Sequence, residues 1–209
     1  KGLNVARGQA VQDGSSPYQV WRDVLRWLVI LTDISDEEAS TIKMLLPDIG
    51  DYLERPVSDP PPLDAKAAQE RLVGVITALL SRQRRPLLIK LEDLHWADEA
   101  SLELLGKIIP ALSHLPVLVI GTYRDDEMPA LGTRYPDVAT LTLQRLASPE
   151  IAMLSQSILG SAGNSPNLVN LLRQETEGNA FFVVEVVRAL AEHAGSLNKI
   201  STAELPITV

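Results

Sequence analysis

The 209-residue chain contains no cysteine, so it carries neither a disulfide framework nor a thiolate metal site, a composition that fits a reducing compartment. Its three histidines, His95, His114 and His193, show no metal-ligand spacing, and no Gly-x-Ser-x-Gly elbow is present, so little supports a hydrolase of either kind. No apolar run approaches the length of a membrane span, and the start KGLNVARGQA lacks the apolar centre of a signal peptide. A cytoplasmic location without a membrane partner is the expectation. Positive charge is scarce as well: 19 Lys and Arg against 27 Asp and Glu leave a net charge of −8. Phosphate backbones need clustered cations, so no direct nucleic-acid binding is expected of this segment. The short cluster Arg82, Arg84 and Arg85 reads as the solvated end of a helix, where cations suit the dipole. A GxxxxGK[ST] phosphate loop is missing too: Gly106-Lys107 is followed by Ile108 and has Ser101 at the upstream glycine position.

What is present is a chain with 45% hydrophobic residues, enough for one good core or one core plus a small satellite domain. Its most informative stretch is Pro86 to Ser101, PLLIKLEDLHWADEAS. Leu87, Leu88, Ile89 and Leu91 form a short apolar run that reads as a parallel strand covered on both faces. Glu92 and Asp93 then stand at its C-terminal end, the edge that faces the ligand crevice in open parallel sheets. Successive side chains on an extended segment point to opposite sides, so the two carboxylates are expected to do separate jobs. One division has Glu92 holding a hard cation, directly or through water, while Asp93 orients or deprotonates an attacking water. The plainer alternative is a pair of solvated strand-end acids. Asp98 is a good N-cap for the amphipathic helix that follows, which carries Leu102, Leu104, Leu105, Ile108 and Ile109.

Strand, acids, turn and helix together, LEDLHWADEASLELL, resemble the Walker B segment of the STAND class of P-loop ATPases, the AAA-related signalling ATPases of large bacterial regulators. The resemblance implies that Glu92 takes the magnesium position, where many relatives carry Asp, and that Asp93 takes the catalytic position. It puts a sensor residue at Arg124, in GTYR after the apolar run VLVIG, where the alternative is a surface arginine paired with Asp125 or Asp126. It also likens TEGNAFFVVEVVRAL to a lid element that touches nucleotide, which makes Gly178 and Asn179 nucleotide-binding candidates. Ala180 stands where relatives commonly have Pro. The implied cofactors and ligands are Mg2+ and ATP or ADP. By the same resemblance the first strand and phosphate loop lie upstream of Lys1, the chain is an excerpt from something longer, and it is expected to bind ATP poorly by itself. Strands left without that neighbour have open edges, a route to self-association.

In chain order, Leu3 to Gln9 reads as a strand and Gly14 to Pro17 as a turn. Pro17 to Leu31 reads as an amphipathic helix with Tyr18, Trp21, Leu25, Leu28 and Val29 on its apolar stripe. A second helix is expected from Asp36 to about Leu46, irregular chain from Pro47 to Pro62, and a long helix from Asp64 to about Gln83. After the strand at Pro116 to Gly121 comes a loop, Asp125 to Asp137, and an edge strand, Val138 to Leu143. Three helices follow, at Pro149 to Leu159, Asn167 to Thr176 and Asn179 to His193, with a flexible Ser161 to Pro166 between the first two. The expected fold class is therefore α/β, a P-loop NTPase-like parallel sheet flanked by helices with its first strand and phosphate loop absent, followed by a small all-helical lid. The expected domains are a partial nucleotide-binding core at 1–143, the lid at 144–195 and a linker at 196–209. The leading functional expectation is a fragment of a regulatory ATPase or nucleotide switch, acting in signal transduction or transcription regulation. Its output would lie in other parts of the same polypeptide, such as a cyclase, kinase, DNA-binding or helical-repeat module. The alternative is a non-catalytic interaction scaffold built on a degenerate ATPase fold.

Overall fold

The computed structural model describes residues 2–12 and 16–193. Gly14 and Ser15 of the expected turn, and the 196–209 linker, lie outside the described residues. The chain divides into two units, Lys1–Ala139 and Thr140–Val209.

The first unit is built on three parallel strands in the order β1-β2-β3, with β1 at Asn4–Gln9, β2 at Leu87–Glu92 and β3 at Val117–Gly121. The register pairs Asn4 with Leu87 through Gln9 with Glu92, and Leu87 with Val117 through Leu91 with Gly121. Helix α1 (Gln19–Leu31) packs on β1 and β2, α4 (Ala65–Ser81) and α5 (Glu99–Leu112) pack on α1 and on each other, and α2 (Asp36–Lys43) and α3 (Ile49–Leu53) pack on α4 and α1. Trp21, Val24, Leu25 and Leu28 from α1 meet Ile76 and Leu79 from α4, Leu104 and Ile108 from α5, and Ala6, Leu87, Ile89 and Leu91 from the sheet.

The central strand departs from the sequence expectation: it is covered on one face only. Leu87, Ile89 and Leu91 are buried while Leu88, Lys90 and Glu92 are partly open. Val5, Arg7 and Gln9 on β1 and Leu118 and Ile120 on β3 share the open face through the register, with Leu118 60% exposed. Polar residues at alternate positions of the central strand, Lys90 and Glu92, mark a half-covered strand, and the leucines around them hide that alternation.

Two local devices set α1 against the strand ends. Gly8 lets the helix backbone lie directly on β1, since a Cβ there would fall 1.8 Å from the Val20 carbonyl oxygen. Asp98 caps α5 by accepting from Ser101 N–H at 2.9 Å and also accepts from Tyr18 N–H at 3.1 Å, joining the starts of two helices. The indole N–H of buried Trp21 donates to the Ser101 carbonyl at 3.0 Å. Helix α1 therefore begins at Gln19, after Tyr18 in a left-handed conformation, and Pro17 precedes the helix instead of occupying its first turn.

Elsewhere α2 is closed by a Ser35–Glu38 capping box and ends at Lys43, and α3 forms inside the stretch expected to be irregular. Five residues carry too few turns for a periodic signal. The expected loop after β3 contains one short helix, α6 (Leu131–Arg134). Val138 to Leu143 is not a strand: it alternates as one, yet it finds no hydrogen-bonding edge and its side chains are exposed.

The second unit packs α7 (Ser148–Leu159), α8 (Pro166–Thr176) and α9 (Ala180–His193) around Ile151, Leu159, Val169, Leu172, Val183 and Val187. The stretch expected to be flexible forms a 3-10 turn at Gly160–Asn164. Ser155 fastens it, its buried hydroxyl lying 2.7 Å from the Gly163 carbonyl, and a Cβ on Gly163 would meet the Ser155 carbonyl oxygen at 2.2 Å. Phe181 and Phe182, in the first turn of α9, are exposed at 67% and 49%. Among the described residues no helix is long and apolar enough to cross a membrane.

Candidate functional site

The C-terminal ends of the three strands gather the chemistry of the first unit. Glu92 ends β2 with its side chain on the open face, 18% exposed and held by two cations. Its carboxylate accepts from Arg7 Nε at 2.5 Å, and Lys90 Nζ lies 2.8 Å away. The Lys90 hydrogen bond, with Arg7 second, holds the Glu92 carboxyl below the usual carboxylate range.

Stability follows from that direction. A carboxyl whose folded pKa is lowered contributes above its unfolded value, about 4.3 for Glu, and the contribution is lost as pH falls through the folded value. Lys90→Gln is therefore expected to be less stable than wild type at pH 7, with the difference shrinking as pH falls below about 4, as read by urea unfolding at several pH values. A difference that stays constant with pH would mean that Lys90 acts through packing alone.

Asp93 does not continue the strand. It sits in the left-handed region at φ 59, the residue from which the 3-10 turn Leu94–Trp96 begins. The expectation that the two acids alternate on an extended segment is corrected here: a left-handed residue turns the chain out of the sheet, so Asp93 is aimed by the turn and not by the pleat. Its Oδ2 accepts from Gln9 Nε2 at 2.8 Å, and its backbone N–H donates to Thr122 Oγ1 at 3.3 Å. Each acid is thus held by a side chain from β1, Arg7 for Glu92 and Gln9 for Asp93.

Pairing between β2 and β3 continues past the strands, with Thr122 N–H on the Leu91 carbonyl at 2.9 Å and Leu94 N–H on the Thr122 carbonyl at 2.8 Å. This brings Arg124 to the turn after the acids, where its backbone N–H donates to His95 Nδ1 at 3.2 Å. Its guanidinium pairs with Glu127 at 2.8 Å, so the surface partner is Glu127 and not Asp125 or Asp126. His95 is buried and lies 4.6 Å from the Trp96 ring, centroid to centroid.

Residues 3–120 match the family model described as the AAA ATPase domain, more than half of the chain. The chain belongs to that family. An AAA ATPase domain is a nucleotide-binding ATPase fold, and the match spans β1, β2, both acids and all of β3 but its last residue, Gly121. No curated protein and no solved structure matches the chain.

Within this AAA domain, the match ends at 120, so Arg124 follows it and Gly178 and Asn179 lie in the second unit. Those two have structural work of their own. Gly178 has φ +78, and a Cβ on it would lie 2.3 Å from the Leu146 carbonyl oxygen. Asn179 starts α9, its Oδ1 accepting from Phe181 N–H at 3.0 Å.

Arg7, Gln9, Lys90, Thr122 and Glu127 were not singled out from the sequence. Arg7 and Gln9 acquire meaning only through the register that sets them opposite Lys90 and Glu92. Among the described residues no group of three or more His, Cys, Asp or Glu could hold a metal ion. The donor set fits magnesium in one way: Mg2+ keeps several waters and is bound through one or two carboxylates plus substrate phosphates, not by a protein cage.

Proposed function

We propose that the acid end of β2 is the magnesium-dependent ATP-hydrolysing centre of a STAND-type regulatory ATPase, whose nucleotide state controls an output elsewhere in the same polypeptide. The observation that carries this is the placement of Glu92 and Asp93 at the end of a central parallel strand, with Thr122 and Arg124 at the end of the next. Glu92, already held by Arg7 and Lys90, supports magnesium through water. Magnesium held there would supply positive charge to offset that developing on the phosphate oxygens. Asp93 accepts a proton from the attacking water, with Gln9 holding its carboxylate in one orientation. Arg124 pairs with the terminal phosphate. By the same reading Gly178 and Asn179 of the helical unit contact nucleotide.

A second reading, an interaction scaffold on the same fold, is favoured by one feature. Arg7 and Lys90 neutralise Glu92 and leave it little capacity for a cation. The two separate on titration of a fluorescent ATP analogue with magnesium, into this chain and into one extended upstream by about 50 residues, enough for a strand and phosphate loop. Binding by the extended chain, weakened by Glu92→Gln, supports the ATPase. No binding by either form overturns it in favour of the scaffold.

A further inference from the structure

Glu127 faces three donors at once. Its Oε1 takes Arg124 Nη1 at 2.8 Å and its Oε2 takes the Trp96 indole N–H at 3.1 Å. The third donor is His95. Because His95 Nδ1 accepts the Arg124 backbone N–H, the ring proton sits on Nε2. That Nε2 is buried and has no hydrogen-bond partner, in a side chain only 1% exposed, and it lies 3.7 Å from Glu127 Oε2. A buried donor left unpaired is costly, and an advance of about 1 Å by the carboxylate would pair it.

We propose that Glu127 is a positioning residue that hands over Arg124: it holds the guanidinium at rest, and closes on His95 Nε2–H when Arg124 leaves. The Trp96 bond persists in both arrangements. The bond gained by the buried His95 offsets the exposed ion pair lost, so Arg124 is released to an incoming phosphate at little cost. The Arg124 side chain is 65% exposed, open to a ligand arriving from solvent, whereas the His95 side chain is 1% exposed. That the arriving group is a phosphate rests on the role of Arg124 proposed above. The hand-over itself needs no nucleotide to be tested.

The test is side-chain 15N–1H spectroscopy of the labelled chain without nucleotide, following His95 Nε2–H and the Trp96 indole N–H. Arg124→Ala is expected to move the His95 Nε2–H downfield and slow its exchange at least about tenfold, with the Trp96 resonance unmoved. Arg124→Lys restores the resting spectrum, and adding Glu127→Ala to Arg124→Ala abolishes the slowing. A His95 signal indifferent to Arg124→Ala, or slowing that survives Glu127→Ala, overturns the hand-over and leaves the phosphate role of Arg124 standing. Nucleotide binding by the upstream-extended chain that is indifferent to Arg124→Ala sinks the phosphate role instead.

Discussion

Asp93→Asn is expected to cut magnesium-ATP turnover by the upstream-extended chain about 10²–10⁴-fold, the range supplied by a positioned general base, while leaving nucleotide binding nearly unchanged. The substitution separates chemistry from folding unusually well. Asn tolerates the left-handed φ of 59 that Asp93 adopts, and its side-chain oxygen can still accept from Gln9 Nε2. What is lost is the charge and the proton affinity. Glu92→Gln makes the contrast, because it should weaken binding of the magnesium complex instead of only the chemical step. Phosphate release and analogue binding, measured side by side, check both. Turnover that survives Asp93→Asn would remove Asp93 from the reaction.

Gly8→Ala should be the most damaging small substitution in the sheet. The added methyl would sit 1.8 Å from the Val20 carbonyl oxygen and 2.9 Å from the Val20 carbonyl carbon, both backbone atoms that no rotamer change can clear. Either α1 lifts from β1 or the strand bends, and α1 carries the buried Trp21, Val24, Leu25 and Leu28. A loss of at least about 3 kcal/mol is expected, a large share of the stability of an ordinary domain. Gly74→Ala is the internal control. It lies inside α4 with nothing within 4 Å of the added atom, so relief of helical glycine entropy should stabilise by about 0.5–1 kcal/mol. Urea unfolding of the two variants should move the midpoint in opposite directions. A tolerated Gly8→Ala would mean that α1 does not lie on the strand as described.

The parts of this architecture that could be read from the sequence are those whose signals are local. The apolar run ending in Glu92 marks a strand and its end, and Asp98 and Asp64 mark helix starts by side-chain chemistry that needs no tertiary context. Helix periodicity located α1, α4 and α5 to within a few residues. Information carried by register or by backbone conformation was not available in this way. Nothing beside Arg7 or Gln9 signals that they will face Glu92 and Asp93 some 85 residues on. The left-handed turn at Asp93 is tied by a hydrogen bond to Thr122, the residue that follows β3. Val138 to Leu143 shows the converse: β-branched alternation is a preference for a pleated surface, and without a neighbouring edge it stays unpaired.

The family places a nucleotide-binding ATPase fold over residues 3–120, and the open question is where on it the metal and phosphates act. Manganese substituted for magnesium, added with ATP to the upstream-extended, 15N-labelled chain, answers this through paramagnetic broadening. The account predicts that the backbone resonances of Asp93, Leu94 and Thr122 disappear first, and that Glu92→Gln weakens the effect. Broadening centred on any other part of the molecule, with these three resonances intact, would contradict it.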